Sequence, residues 1–332
     1  MFSKKVRDLT IDDMILGNVV CHNCGKSVSY EGQEPLSIFT CTSCNKGFNF
    51  VPMQVDEFWL FAPLGGGGMG AVYKAYIEGE PDKVSAVKVL PRETRNDPIL
   101  IDGLKLETEI IEKLGANACI VSGMGSGYFE GEYYLASEFV DGERLDKMIQ
   151  RMGRIPEIDV ICIVLRLLQG EAHIYNQGYL FRDMKPENII VTKDGAVLFD
   201  YGICITIEES HFDQGDSVSG SPIYWPPERV IGDIEEANSE IYSTGMVMYH
   251  CLNGAPYFHA KEIETMARKH IRTVRLSDKE QKMKNIKDDL ADVILKMIAR
   301  EQEDRYQCFA EVEKDIIKIY LKRINEQIKS KK

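Results

Sequence analysis

Four groups of residues, in one chain order, have the chemistry needed to move a phosphoryl group. A glycine-rich run extends from Gly65 to Gly70 and is followed by Lys88. Downstream come the segment 182–188, with the sequence Arg-Asp-Met-Lys-Pro-Glu-Asn, and then Asp200. Glycines let a backbone cover phosphates, lysine neutralises their charge, and the oxygens of asparagine and aspartate bind Mg²⁺. The series therefore predicts transfer of a phosphoryl group from ATP.

A second group of potential ligands lies near the N-terminus. Cys21 and Cys24 form one C-x-x-C pair, and Cys41 and Cys44 form another after sixteen intervening residues. Tetrahedral Zn²⁺ takes four such thiolates, and this spacing is a recognised zinc pattern. A closed four-thiolate site has no open coordination position, so we expect a structural Zn²⁺ and no catalysis there, with His22 outside the ligand set.

Short apolar segments accompany the cysteine pairs. Residues 37–40, together with Phe48 and Phe50, predict short strands of a zinc ribbon over residues 15–52. The aromatic side chains either fill a small core around the metal or bind a protein partner. The charged side chains between Gly17 and Phe50 cancel, so we expect no nucleic-acid surface and favour a protein-binding or regulatory module.

Composition narrows the class of protein. The 332 residues are enough for two domains, and 44% hydrophobic with 28% charged residues is typical of a soluble globular protein. A formal charge of −12 argues against general nucleic-acid binding. Only four of the nine cysteines are clustered, which favours reduced thiols. The longest apolar stretch, 160–168, is too short to span a bilayer, and the N-terminus lacks the apolar core of a secretory signal, so we expect a cytoplasmic protein.

The residues that flank the glycines have the pattern of β-strands. Segments 58–62 and 71–77 show it, and the chain continues as a strand after Gly70. A helix at that point would favour a dinucleotide-binding fold, whereas a strand favours a hairpin that covers phosphates. A third predicted strand, 84–90, contains Lys88.

An acidic residue on the next helix is expected to pair with Lys88. Segment 104–114 has apolar residues at helical spacing and contains both Glu107 and Glu109. The two carboxylates lie on different faces of such a helix, and helical facing favours Glu107. An ion pair between Lys88 and Glu107 would hold the ammonium against the α- and β-phosphates.

With these motifs in order, the chain from about Asp56 onward resembles the protein Ser/Thr kinases, and its run 67–73 resembles their bacterial branch. The resemblance implies an α+β structure, a two-lobed protein-kinase fold preceded by a small zinc-ribbon domain. It implies ATP-dependent phosphorylation of protein serine and threonine hydroxyls, including autophosphorylation of the activation segment, with ATP and Mg²⁺ as cofactors. The domains expected from it are a kinase domain 56–325, divided into a small lobe 56–140 and a large lobe 141–325, and a basic tail 326–332.

The resemblance also implies roles for individual residues. Asp183 would accept the proton of the substrate hydroxyl, and Lys185 would neutralise charge at the γ-phosphate. Asn188 and Asp200 would hold Mg²⁺ ions. The backbone of the hinge, at Glu138 and Val140, would bond adenine. The remaining nucleotide-binding residues that it implies are Leu64, Gly65, Gly67, Gly70, Val72, Ala86, Lys88 and Ile190.

An activation segment from Asp200 to Glu228 is a further part of the resemblance. Arg305 is expected to pair with Glu228. Arg182, which precedes the catalytic Asp183, goes in this family with control by phosphorylation of the activation segment, because a phosphate gains charge-assisted bonds to arginine. The candidate phosphate acceptors, unless they are only polar loop residues, are Thr206, Ser210, Ser217 and Ser219.

Three positions depart from the family pattern. Phe181 stands in place of histidine, Tyr201 in place of phenylalanine and Glu240 in place of aspartate. Phe181 and Tyr201 can stack on each other, and we expect the Glu240 carboxylate to bond to the backbone near position 181. The departures leave open a pseudokinase or scaffold that signals through the zinc ribbon. A kinase for a small molecule is another alternative, which the full activation segment disfavours.

The C-terminal segment predicts an amphipathic helix with a basic tail. Seven basic residues occur between Lys314 and Lys332. Such a helix either packs on the large lobe, with solvated lysines beyond it, or contacts an anionic partner or membrane surface. The apolar positions at helical spacing are Ile316, Ile317, Tyr320, Leu321, Ile324 and Ile328.

Overall fold

Residues 7–67, 70–212, 220–272 and 281–330 are described by a computed structural model. They pack into two compact units. The first unit runs to Glu109 and includes Ser122–Phe139, and the second comprises Ile110–Val121 and the chain from Val140 onward. Strands dominate the first unit and helices the second. This mixed content is that of the predicted α+β kinase fold.

The N-terminal residues of the first unit fold into two small hairpins, which we call the ribbon. Each C-x-x-C pair lies in the turn of one hairpin. Val19, Val28, Phe39 and Val51 surround the buried cysteines as a small core, whereas Phe48 is 73% exposed and fills no core. The ribbon elements are helix α1 (Ile11–Ile15) and strands β1 (Asn18–Val20), β2 (Ser27–Ser29), β3 (Ile38–Thr40) and β4 (Phe48–Phe50).

A six-stranded antiparallel sheet follows the ribbon. Its strand order is β5-β6-β7-β8-β10-β9, so the strand that contains Lys88, β8, is internal. Helix α2 (Pro98–Leu114) follows β8 and starts six residues earlier than the segment predicted from its apolar positions. The strands are β5 (Met53–Val55), β6 (Phe58–Gly67), β7 (Gly70–Ile77), β8 (Glu80–Val89), β9 (Gly123–Phe129) and β10 (Glu132–Glu138).

The core of this sheet extends to the ribbon. Leu60, Ala75 and Val87 are fully buried at neighbouring positions of three strands. Leu36 of the ribbon packs against the same cluster, and the rings of Phe50 and Tyr73 lie 5.7 Å apart. The ribbon therefore belongs to the same compact unit as the sheet.

Helices form the body of the second unit around one central helix, α7, which is buried along almost its whole length. Helices α4 and α9 pack on α7. None of the described helices is long and apolar enough to cross a membrane. The helices are α3 (Leu145–Met152), α4 (Glu157–Asn176), α5 (Ile207–Ser210), α6 (Pro227–Ile231), α7 (Ala237–Asn253), α8 (Ile263–Ile271), α9 (Asp288–Met297) and α10 (Phe309–Ser330).

Short strands flank the two segments that contain Asp183 and Asp200. The segment with Asp183 lies between β12 and β13, and the segment with Asp200 lies between β14 and β15. Strands β11, β13 and β14 form one small sheet, and β12 pairs with β15. Their bounds are β11 (Glu143–Arg144), β12 (Tyr179–Leu180), β13 (Ile189–Thr192), β14 (Gly195–Leu198) and β15 (Ile205–Thr206).

Candidate active site and zinc site

The four ribbon thiols converge at one point. All four sulfur atoms lie within 4.8 Å of one another, and the Cys21–Cys44 and Cys24–Cys41 sulfurs are each 3.9 Å apart. Four sulfurs about 2.3 Å from a tetrahedral Zn²⁺ are separated by about 3.8 Å, so the donor set fits that ion. His22 is not among the converging ligands.

Backbone turns around the thiols explain why small residues follow each pair. Asn45 has a φ of 53°, and a Cβ at Gly47 would lie 2.4 Å from the sulfur of Cys21. Any side chain at position 47 would therefore push that cysteine away from the metal position. The Asn23 amide donates to the Cys44 sulfur at 3.3 Å, and this bond, followed by the backbone N–H of Lys46, lowers the pKa of Cys44 to about 6. A thiolate is the form that binds zinc.

Lys88 and Glu107 form the expected ion pair within the first unit. The Lys88 Nζ lies 2.7 Å from Glu107 Oε2, and both side chains are largely buried. Glu109, two residues further along α2, is exposed. A buried ion pair of this kind holds the ammonium group in one position.

The glycine-rich turn lies close over the same lysine. A Cβ at Gly70, whose φ is 137°, would approach the Lys88 Cγ and Cε and the Val89 carbonyl to 3.2 Å. Val72 pairs with Lys88 across the strands, and Ala86 lies two residues before it on β8, so the three side chains share one face of the sheet. Gly65 and Gly67 belong to the same hairpin, whereas residues 68 and 69 lie outside the described residues.

The predicted hinge begins at the end of β10. The Glu138 N–H donates to the Ser122 carbonyl at 3.0 Å, and the Glu138 carboxylate accepts from the Ser122 N–H at 3.0 Å. That N–H is therefore already used within the first unit. Leu64 is 44% exposed in the first unit, and Val140 and Ile190 belong to the second unit.

Among the described residues, hydrogen bonds reach one of the two oxygens of the Asp183 carboxylate. Its Oδ2 accepts from Lys185 Nζ at 2.6 Å and from Asn188 Nδ2 at 2.7 Å. Its Oδ1 is buried without a hydrogen-bond partner in the described part of the chain. Gly220 lies beside that oxygen, since a Cβ there would be 3.5 Å away. A buried acceptor without a donor is costly unless a ligand supplies one, so Oδ1 is suited to accept from a substrate hydroxyl.

Unusual backbone angles orient the neighbouring groups. Arg182 has a φ of 65° and Asp200 a φ of 70°, values that non-glycine residues adopt rarely. The Asn188 carbonyl accepts from the N–H of Phe199, which directly precedes Asp200, at 3.2 Å. The loops that contain Asn188 and Asp200 are therefore joined, and both residues offer oxygen atoms of the kind that Mg²⁺ prefers.

The three departures from the kinase pattern meet beneath this loop. Phe181 and Tyr201 are fully buried and pack edge to face, with ring centroids 6.1 Å apart. The Tyr201 hydroxyl, which phenylalanine would lack, donates to the Val121 carbonyl at 2.8 Å. Glu240 accepts from the Arg182 N–H at 3.0 Å. The expected carboxylate-to-backbone bond is thus present with glutamate in place of aspartate.

The activation segment is fixed at its C-terminal end. Arg305 donates to both oxygens of the buried Glu228, at 2.6 and 2.8 Å, as expected. The carbonyl of Pro222 accepts from His270 at 2.9 Å, and that of Tyr224 accepts from Ser243 at 2.8 Å. These bonds keep residues 222–228 in one conformation next to Gly220.

Sequence reasoning missed one buried cluster behind Asp183. Arg182 and Arg229 both contact the Glu235 carboxylate, and all three side chains are at least nine-tenths buried. Of these residues the sequence pointed only to Arg182; Arg229, Glu235 and also Glu171, which is buried beside Glu240 on the neighbouring helix, were missed. Nothing in their spacing indicates that these charges meet, because the residues come from four separate segments.

Fold and site together define a protein kinase domain. The family model described as the protein kinase domain matches residues 59–316, so the chain belongs to that family. Among curated proteins, the chain is 31% identical to a probable serine/threonine-protein kinase of Clostridium perfringens, over 80% of this chain and 38% of the relative. It is 32% identical to the serine/threonine-protein kinase PknB of Mycobacterium leprae, over 81% of this chain and 44% of the relative.

A third relative has a similar relationship to the chain. It is the probable serine/threonine-protein kinase PknB of Lactococcus lactis, 28% identical over 79% of this chain and 42% of its own length. The chain therefore spans about two fifths of the length of the curated relatives that it matches. The ribbon precedes the matched family region, which begins at residue 59.

Proposed function

We propose that this protein phosphorylates serine and threonine hydroxyls of proteins with ATP and Mg²⁺. The observation that supports this most directly is the Asp183 carboxylate, with Oδ2 bound by Lys185 and Asn188 and the buried Oδ1 without a donor in the described residues. The match to the kinase family and the names of the relatives support the same conclusion.

In this proposal Asp183 acts as the base. Its Oδ1 accepts the proton of the substrate hydroxyl while the hydroxyl oxygen bonds to the γ-phosphorus of ATP and the bond to the β–γ bridging oxygen breaks, which releases ADP. Lys185 neutralises charge on the phosphoryl group, and Lys88, held by Glu107, neutralises the α- and β-phosphates. Catalysis then depends mainly on position and charge.

Asn188 and Asp200 would hold Mg²⁺, with Leu64, Val72, Ala86 and Ile190 providing apolar contacts to adenine. When bound, Mg²⁺ neutralises the phosphate oxygens and favours departure of ADP. The oxygen donors of the two side chains fit this ion, since hard cations prefer carboxylate and amide oxygens. Both side chains belong to loops joined by the Phe199 N–H bond to the Asn188 carbonyl.

The ribbon would bind one structural Zn²⁺ through Cys21, Cys24, Cys41 and Cys44. Its second proposed role is to support the segment between Lys88 and helix α2, because Glu34 of the ribbon pairs with Arg92 in that segment. The Arg92–Glu34 pair is half-exposed and contributes little stability by itself. Leu36 and Phe50 therefore supply most of the attachment of the ribbon to the sheet. The exposed Phe48 is the side chain that a protein partner would contact.

We place the protein in the cytoplasm. None of the nine cysteines, each within the described residues, forms a disulfide. That pattern is typical of a reducing compartment. Signalling through phosphorylation of protein substrates is consistent with this location.

The proposal is tested by transfer of γ-labelled phosphate from ATP with Mg²⁺ to a generic basic protein. We expect labelled phosphoserine or phosphothreonine with the wild-type chain and none with Asp183→Asn, which should still bind nucleotide because Asp183 contacts the hydroxyl and not ATP. Asp194→Asn is a matched control, since Asp194 is exposed in the turn after β13. It should transfer phosphate at the wild-type rate.

Two outcomes would contradict the proposal. If folded wild-type protein binds ATP but transfers no phosphate, the chain is a scaffold whose catalytic loop is disabled. If label appears only on small hydroxylic compounds and never on protein, the substrate class is wrong.

A further inference from the structure

The arginine that precedes the catalytic aspartate already has an anionic partner inside the fold. The Arg182 Nη2 lies 2.8 Å from Glu235 Oε1, and the two side chains are 7% and 4% exposed. Glu235 lies in the loop before α7. The Nε of Arg182 is buried as well and has no hydrogen-bond partner among the described residues, so little of the guanidinium group is open to a phosphate without rearrangement.

A second arginine, Arg229, binds the same Glu235 carboxylate. Arg229 donates to Glu235 Oε2 through Nε at 2.9 Å and Nη2 at 2.6 Å. Its Nη1 donates to the backbone carbonyl of Arg182 at 2.6 Å. The Arg182 N–H also bonds to Glu240. Arg182, the residue next to Asp183, is therefore held at its N–H, its carbonyl and its side chain. Such contacts fix the position of the catalytic carboxylate.

The charges of this cluster balance without a phosphate. Arg182 and Arg229 contribute two positive charges, since guanidinium groups stay protonated in proteins. Burial alone would raise the pKa of Glu235, but Arg229 and then Arg182 hold that pKa below its usual value, so Glu235 is ionised. The buried neighbour Glu240 accepts from the Arg182 N–H and supplies a second negative charge when it is ionised. A phosphate dianion added here would leave an excess of buried negative charge.

The first part of the activation segment also contacts Glu235. The Ser210 hydroxyl is buried and lies within hydrogen-bond distance of two carbonyls, that of Glu235 at 2.9 Å and that of Ile207 at 2.7 Å, to either of which it can donate. Thr206 caps helix α5 by accepting from the Glu209 N–H at 3.0 Å. Two of the four predicted phosphate acceptors are therefore used as structural hydroxyls. The other two, Ser217 and Ser219, lie outside the described residues.

We propose that Glu235 is the built-in anionic partner of Arg182, so that the catalytic loop is assembled without phosphorylation of the activation segment. Glu235 and Arg229 are then positioning residues for Asp183. This inference rests on the proposed kinase function. It differs from the control by phosphorylation that the sequence resemblance implied for Arg182.

The first test uses full-length protein treated with a broad-specificity protein phosphatase, with intact mass confirming that no phosphate remains. Phosphate transfer to an exogenous basic protein should start at its full rate, without a lag, and Ser217→Ala/Ser219→Ala should match it within about twofold. A lag that ends as the kinase incorporates phosphate would overturn the inference while leaving the kinase function intact. Absence of transfer under every condition would overturn the proposed function, and this inference with it.

The second test removes the internal carboxylate. Glu235→Gln should lower kcat by roughly tenfold or more with little change in the KM for ATP, because displacement of a catalytic group costs rate more than nucleotide affinity. Glu235→Asp, which keeps the charge, should recover part of kcat. Glu236→Gln is the matched control, since the adjacent Glu236 is half-exposed and bonds Tyr175 and His211.

Thermal unfolding would show whether each variant is folded. If Glu235→Gln does not fold, Glu235→Asp and the lag measurement on the wild-type protein still decide between the two mechanisms. A folded Glu235→Gln with the wild-type kcat would overturn the positioning role.

Discussion

Glu107 and Glu109 are two residues apart on α2, and only Glu107 reaches Lys88. Replacing Glu107 with glutamine removes the charge that orients the ammonium group while keeping the size of the side chain. Misplacement of a catalytic group by about 1 Å can cost about 10²-fold in rate, so we expect Glu107→Gln to lower kcat/KM by roughly that factor. Initial rates with γ-labelled ATP would measure the loss.

Glu109→Gln serves as the control on the same helix. Because Glu109 is exposed, its variant should keep the wild-type kcat/KM and unfolding temperature. Equal losses in the two variants would mean that the charge of the helix matters and the Lys88 contact does not.

Two buried glutamates lie side by side on α4 and α7. Burial, and then the charge of Glu240, raises the pKa of Glu171 well above its usual value. Burial also raises the pKa of Glu240 to about 7, opposed by Arg229. Glu240 accepts from the Arg182 N–H and faces Arg182, Arg229 and Glu235, whereas Glu171 Oε2 accepts from the neutral Thr244 hydroxyl, at 2.7 Å. Glu171 is therefore the member that holds the proton at neutral pH.

This pair makes stability depend on pH in a defined direction. The folded state retains protons that unfolded glutamates release above a pH of about 4.3, so the contribution is fully present below that pH. Glu240 loses its part as pH rises through about 7, and Glu171, whose pKa is raised well above its usual value, keeps its proton beyond the pH at which an unfolded glutamate releases it. Glu171→Gln supplies a neutral group at every pH. We expect it to raise the free energy of unfolding at pH 8 by on the order of 1 kcal/mol and to leave it nearly unchanged at pH 5.

Urea unfolding at the two pH values would measure this difference. Glu303→Gln, at an exposed position, should keep the wild-type pH dependence. A Glu171→Gln variant that loses stability at pH 8 would show that Glu171 is ionised and bound to a positive group there.

Helix α10 shows how a charged residue can belong to a buried helical face. Its buried positions include Ile316, Ile319 and Arg323, whereas Ile317 and Leu321 are exposed. The predicted helix is present, but three of its predicted apolar positions, Ile317, Leu321 and Ile328, are exposed and do not pack on the described part of the second unit. Arg323 takes a place in the buried face because Glu157 and Asp289, from distant segments, both bind its guanidinium group.

Arg323→Met keeps the aliphatic stem and removes the charge, which leaves two partly buried carboxylates without their cation. Loss of one partner from a fully buried pair costs about 3–5 kcal/mol, and partial exposure of the carboxylates reduces this, so we expect a loss of about 2 kcal/mol. Lys322→Met is the control. Lys322 also binds Asp289, at 2.8 Å, but is 59% exposed, so its loss should cost less than about 0.5 kcal/mol.

Chemical denaturation of the two variants would measure the difference. Equal effects would mean that the exposed and buried cations contribute alike, and that burial of Arg323 does not anchor the helix.

Residues within short motifs were predictable from the sequence because their partners are close along the chain or are fixed by a motif. The contact of Asp183 with Asn188 spans five residues, and the Cys21–Cys24 and Cys41–Cys44 pairs each lie in one turn. Strand alternation likewise predicted the hairpin around Gly70. Local periodicity is enough for elements of this kind.

Partners that meet only in the folded chain were not predictable in this way. Arg182, Arg229 and Glu235 come together because α6 and the loop before α7 pack beneath the catalytic loop, and charged residues are ordinarily expected at the surface. Leu36 of the ribbon likewise packs on the core of the sheet because folding brings these two segments together. Neither contact follows from residue spacing in a single sequence.

The ribbon lies before the region that matches the kinase family, yet it is part of the first compact unit. The matched region begins at residue 59, whereas the core of the first unit includes Leu36, and Phe50 contacts Tyr73. A structural zinc ion contributes directly to the folding of such a small module. Its loss should therefore destabilise the unit that contains Lys88 and Glu107 more than the second unit.

We expect one Zn²⁺ per chain in the wild-type protein and a loss of that metal in Cys44→Ser. Calorimetry should then show an early unfolding transition, assigned to the first unit, while the transition of the second unit keeps its temperature. Cys308→Ser is the matched control, since Cys308 is exposed in the second unit and should leave metal content, unfolding and kinase rate unchanged. Because Leu36 of the ribbon packs on the core of the sheet that contains Lys88, Cys44→Ser should also transfer phosphate more slowly. A metal-free Cys44→Ser protein with the wild-type unfolding profile and rate would show that the ribbon is only appended to the kinase and does not support it.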